Sequence, residues 1–167
     1  MNIRGLHHNA YRCRDAEETR QFYEDFLGLP LVKAFRIEET KSGRETHALH
    51  LFFQMTDGSC LAFFEVPGED GNNFEFKDQH DYDLHIALEV DYEHLRTMLD
   101  KAKHAGFETR GVSDHGFIHS IYLRDPNGYV IELTAKLPNH ADATNPTMNA
   151  AHEKLARWQA KKSAPRA

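Results

Sequence analysis

One succession of strand and helix patterns occurs twice in this chain, and that repetition limits the fold more than any single motif. In the first half, strand-like alternation opens at Ile3 and runs through Tyr11 and Cys13. Helical spacing follows, with Thr19, Phe22, Tyr23 and Phe26 on one face, Asp15 and Glu18 at capping-box spacing, and Gly28 and Pro30 closing the element. Strand patterns occupy 31–38, 47–55 and 59–66, the last two joined by Thr56-Asp57-Gly58. The second half repeats the order: a strand over 84–90, Asp91, and a helix over 93–105 presenting Leu95, Met98, Leu99 and Ala102 before Gly106. Strands over 107–110, 119–124 and 129–135 complete it, with Asp125-Pro126-Asn127-Gly128 as the last turn. A doubled unit of this size buries sheet faces that it cannot cover alone, so we expect an α+β fold of paired βαβββ modules over 1–66 and 82–136. Residues 67–81 read as a connector. Residues 137–167 form an extension whose helix, near 148–161, carries Leu155 and Trp158 on one face and is expected to pack at the edge of the domain or on a partner, the alternatives being a lid over the pocket or a mobile tail.

Charge excludes one class of partner. The net charge is −6, and the Lys and Arg residues are scattered except around Lys161, Lys162 and Arg166, so no concentrated basic face exists to displace counterions from nucleic acid. No apolar run approaches the roughly 20 residues of a membrane span, and none at the start has signal-peptide length. Cys13 and Cys60 are the whole thiol inventory; they make no dense disulfide framework, and a cytoplasmic location without membrane association is the expectation.

Three residues stand out for their chemistry. Glu132 interrupts the apolar run Val130-Ile131-Glu132-Leu133, where a carboxylate is costly to bury unless it is paired or holds a metal. His85 sits similarly among Leu84, Ile86 and Leu88, and His8 opens the first module as His85 opens the second. Two imidazoles and one carboxylate can hold one face of an octahedral metal and leave positions open for reactants. Any one of the 12 histidines taken alone is equally well read as a surface or locally bonded imidazole.

The segments LHHNAYRCRDAEETRQFYEDFLGLPL, DYDLHIALEV and SIYLRDPNGYVIELTA resemble the vicinal oxygen chelate superfamily, which includes glyoxalase I, fosfomycin-resistance thiol transferases, bleomycin-binding proteins and extradiol dioxygenases. The resemblance implies that the modules form an open, curved mixed sheet around a divalent metal held by His8, His85 and Glu132. Glyoxalase I places a further glutamate on the last strand of its first module, where this chain has Ala62, with Glu65 expected on the opposite face. The dioxygenases place an acid–base tyrosine ten residues before the glutamate ligand, which implies that role for Tyr122; His115, His119 and His80 are candidates for the accompanying histidine. His47, Phe53, Phe63, Tyr82 and Phe117 are candidates for the cavity wall. The expected function is an Fe(II) extradiol-type dioxygenase acting on an aromatic small molecule, working as a homodimer. The alternatives are a lyase or thiol transferase using Mn(II), Ni(II) or Zn(II) as a Lewis acid, and a metal-free binding protein.

Overall fold

The computed structural model describes residues 2–68 and 74–163, the side chain of Ser163 excepted. Glu69 to Asn73 of the expected connector, and Arg166 of the basic tail, lie outside the described residues. The first module contains β1 (Tyr11–Cys13), α1 (Ala16–Arg20), a π-helical continuation (Gln21–Phe26), β2 (Leu31–Glu39), β3 (Glu45–Gln54) and β4 (Cys60–Glu65). The second contains β5 (His85–Glu89), α2 (Tyr92–His104), β6 (Thr109–Asp114), β7 (Ile118–Arg124) and β8 (Val130–Lys136), followed by α3 (His140–Ala143), α4 (Pro146–Asn149) and α5 (Ala151–Ser163). The sheets are open and four-stranded, in the orders β1-β4-β3-β2 and β5-β8-β7-β6. In the first, β1 runs parallel to β4 while β2, β3 and β4 are antiparallel neighbours, so the sheet is mixed. By spatial compactness the chain divides into one unit of residues 1–86 with 124–131, and another of 87–123 with 132–167.

Alternation along the strands of the first sheet separates two faces. Leu51, Phe53, Leu61 and Phe63 are buried with Phe22, Tyr23 and Phe26, and Tyr23 lies 5.5 Å from Phe53 and 4.7 Å from Phe63 between ring centroids. Asp15 caps α1 as expected, its carboxylate accepting the Glu18 amide at 2.8 Å. Glu65 points to this same helical side, where its carboxylate accepts the Ala16 amide at 2.8 Å, and Ala62 is buried. The opposite face carries His50, Phe52 and Phe64.

The first strand is shorter than its alternation suggests. Only Tyr11 to Cys13 form a ladder with β4, and His8 makes an isolated bridge to Cys60. Asn9 is the reason: its side-chain oxygen takes the Ala62 amide at 2.8 Å, replacing a main-chain acceptor and interrupting the ladder. β6 is longer than expected because its polar residues Ser113 and Asp114 still pair with Ser120 and His119. The helix expected near 148–161 is divided at Ala150, whose φ of 52° ends α4, and Leu155 and Trp158 are exposed in the single chain. Among the described residues no helix is long and apolar enough to cross a membrane.

A buried knot fixes the turn before β8. Asp125 Oδ1 accepts the amides of Asn127 (2.9 Å) and Tyr129 (2.8 Å), and Oδ2 accepts from the Tyr23 hydroxyl (2.9 Å) and Asn127 Nδ2 (3.0 Å). Asn127 Oδ1 accepts the Arg14 amide at 2.8 Å, and the Tyr129 hydroxyl donates to the Arg12 carbonyl at 2.9 Å. Gly128 completes the turn at φ 90°, where a side chain would collide with the Lys77 carbonyl. Burial is the main force raising the Asp125 carboxyl above its ordinary range, and the hydrogen bonds oppose it.

Cys13 and Cys60 are both free and buried. Burial pushes the Cys13 thiol up to about 12, whereas an unfolded cysteine titrates near ~8.5. The folded chain therefore keeps a proton that the unfolded chain releases, so this contribution is whole below the unfolded value and is lost as pH rises above it. Stability should fall between pH 8.5 and 10 with a Cys13 contribution approaching ~1.4 kcal/mol per pH unit. Urea unfolding of wild type and Cys13→Ala across that range checks this: the variant should have the shallower slope.

Candidate metal centre

Glu132 is 5% exposed, on β8 between Ile131 and Leu133. The neighbouring strand supplies its partners: Ser120 Oγ donates to Glu132 Oε1 at 2.5 Å and also reaches Thr134 Oγ1 at 3.2 Å, while the Tyr122 hydroxyl approaches the same Oε1 at 3.4 Å. Ser120 and Tyr122 are two residues apart on β7 and so share a face. Tyr122 is held from its other side too. His115 Nε2 lies 2.9 Å from the hydroxyl, and the Arg110 guanidinium carbon stands 4.3 Å from the ring centroid, a cation–π contact. Burial first, and the Glu132 charge second, raise the Tyr122 phenol above its ordinary range, which keeps it a proton donor at neutral pH.

His119 does not join this group. It lies on the other face of β7, 5.3 Å from the Tyr92 ring, with Nε2 3.7 Å from Asp114 Oδ1. Alternation also moves the expected wall: Phe53 and Phe63 belong to the helical core, Tyr82 is 94% exposed, His47 is exposed, and Phe117 packs on His140 at 5.8 Å.

His8 is exposed at the start of the first module, its Nδ1 2.7 Å from His7 Nδ1 and its ring 5.3 Å from Phe52 and 6.2 Å from His50. His85 begins β5, and its Nδ1 lies 2.7 Å from the Asp81 carbonyl, an outer partner that fixes the ring. Among the described residues no three His, Cys, Asp or Glu side chains stand together closely enough to hold a metal ion. The donor types nevertheless suit one: a buried carboxylate oriented by hydroxyls, and imidazoles outside the core, are hard and borderline ligands for a first-row divalent metal. Sequence reasoning missed Ser120, Arg110, His7 and His50. The spacing of Ser120 and Tyr122 opposite Glu132 and Thr134 was a usable signal for the first; the others had none.

The family model of the Glyoxalase/Bleomycin resistance protein/Dioxygenase superfamily matches residues 5–133. The chain belongs to this superfamily. Among its relatives, a probable lactoylglutathione lyase of Synechocystis sp. is 30% identical over 135 residues, covering 77% of this chain and 92% of that one. The putative ring-cleaving dioxygenase MhqA of Bacillus subtilis is 34% identical over 70 residues, 40% of this chain; the match spans only 21% of that protein. A solved structure of the fosfomycin resistance protein FosX from Listeria monocytogenes, a mutant complexed with Mn(II) and a dihydroxypropylphosphonic acid, superposes with a TM-score of 0.60 at 19% identity, covering 83% of this chain and 98% of that one. The two sequence relatives thus carry different printed activities, and the Mn(II)-complexed FosX structure shares the fold.

If His8, His85 and Glu132 are the ligands, His8→Ala, His85→Ala and Glu132→Ala should each lose tight metal while His119→Ala keeps it. Metal analysis after anaerobic loading and desalting gives the answer; full retention in all three ligand variants contradicts the assignment.

Proposed function

We propose that this chain is an Fe(II)-dependent extradiol-type dioxygenase that opens a catechol- or hydroquinone-like ring. The observation that carries the reading is the Tyr122 hydroxyl between His115 Nε2 and Glu132 Oε1. His8, His85 and Glu132 would hold the divalent metal, which would supply Lewis acidity to a substrate hydroxyl. Ser120 Oγ, itself 3.2 Å from Thr134 Oγ1, donates to the Glu132 carboxylate and keeps it in one orientation. Tyr122, protonated at neutral pH, donates a hydrogen bond to the substrate oxygen as negative charge builds on it, and His115 Nε2 holds the phenol in place for that bond. Arg110 fixes the ring of Tyr122 and favours negative charge near its hydroxyl. The buried apolar neighbours of Glu132 limit competing water.

The lyase relative favours a second reading, in which the same ligands serve proton transfer without oxygen. Against it, Ala62 occupies the place of the further glutamate ligand of glyoxalase I, and Glu65 is engaged at the start of α1. The working form is proposed to be a cytoplasmic homodimer, since both open sheets end in edge strands that a second copy can cover.

Anaerobically loaded Fe(II) protein, given a panel of catechols and hydroquinones, should consume oxygen in step with the absorbance of a ring-opened product. Tyr122→Phe should lower turnover by roughly 10²-fold with iron content unchanged. Turnover of a thiohemiacetal without oxygen, and none of the ring substrates, would establish the lyase instead. Sedimentation at micromolar concentration should show twice the 19.2 kDa of one chain, and mixing His8→Ala with Glu132→Ala chains recovers activity only if the site is shared between copies.

A further inference from the structure

His50 is an unusual residue for its surroundings. It is 6% exposed on β3, and its Nε2 is buried without a hydrogen-bond partner. Its ring stacks on Phe64 at 3.7 Å between centroids with 19° between planes, and lies 4.3 Å from Phe52 and 5.3 Å from Phe35. Phenylalanine would fill such a place without stranding a polar atom, so the imidazole costs stability that packing alone does not return. The surrounding face is chemically specific. Register places His50 beside Phe35 on β2 and Phe64 on β4, and the same face carries His8, 6.2 Å away between ring centroids. Lys33 brings a cation to the rim, its Nζ 5.0 Å from the Phe35 ring centroid.

We propose that His50 determines substrate specificity: it and Lys33 receive an anionic oxygen carried by a single aromatic ring that lies on Phe35, Phe52 and Phe64 with its hydroxyls toward His8. This deepens the dioxygenase reading and rests on it for the position of the hydroxyls. Three features specify the ligand class. Aromatic faces accept a planar ring, an unpartnered imidazole nitrogen demands a polar partner, and the ammonium selects negative charge. The short span from His8 to His50 suits one ring and one substituent, not a fused or extended system. A hydroxylated benzoate therefore fits better than an unsubstituted catechol.

The test compares binding of 3,4-dihydroxybenzoate and catechol to the full chain, metal-free and Zn(II)-loaded, by calorimetric titration in the absence of turnover. Wild type should prefer the carboxylate by about 10-fold, the size of one charge-assisted contact. His50→Phe should lose most of that preference, retain catechol affinity and melt at or above the wild-type temperature. Lys33→Met, at an exposed position, should lose part of the preference with no change in melting. An equal affinity of wild type for the two compounds, binding of neither, a preference undiminished in both variants, or a His50→Phe protein melting well below wild type would each overturn the proposal. Oxygen uptake with catechols but no carboxylate preference overturns this inference alone; a carboxylate preference without oxygen uptake supports the His50 and Lys33 contact to the anionic oxygen and overturns the dioxygenase reading together with the placement of the hydroxyls.

Discussion

The buried carboxylate of Asp125 is the constraint on which the candidate centre depends. It gathers four donors, from Tyr23, Tyr129 and both the backbone and side chain of Asn127, into the turn that joins β7 to β8. Because strand side chains alternate with a period of two, a one-residue slip in that turn would exchange the two faces of β8. Glu132 would leave Ser120 and Tyr122, and Ile131 would take its place. A polar network buried at some cost in desolvation is thus spent on register, and the register sets the chemistry.

The open faces of the two modules are built on the same alternation but differ in character. On the first sheet the covered side is aliphatic and aromatic core, while the open side concentrates rings around His50. On the second, a carboxylate, two hydroxyl residues, a phenol, an imidazole and a guanidinium form a connected polar group.

Most of the fold was legible because the strongest signals were local. Asp15 at its cap, the apolar face of α2, and the Asp-Pro-Asn-Gly turn act within a few residues, so sequence spacing determines them. Glu132 was legible for the same kind of reason, as a carboxylate where burial demands a partner. The phase of β3 was not. Leu49, Leu51 and Phe53 alternate on one side while His50 and Phe52 alternate on the other, and with apolar residues on both faces periodicity assigns neither, so the sequence could not tell that Phe53 faces the helices and His50 the opposite side. The early end of the first ladder depends on the Asn9 side chain reaching Ala62, 53 residues away, which no local pattern encodes.

The central claim is that Glu132 is a metal ligand and Tyr122 its catalytic neighbour, and anomalous scattering at the iron edge from crystals of the Fe(II)-loaded protein tests it most directly. The account predicts one iron position per chain, coordinated by a His8, a His85 and a Glu132, with the Tyr122 hydroxyl beside the open coordination positions. Iron bound elsewhere, or a Glu132 carboxylate still engaged only by protein hydroxyls in the loaded crystal, would contradict it.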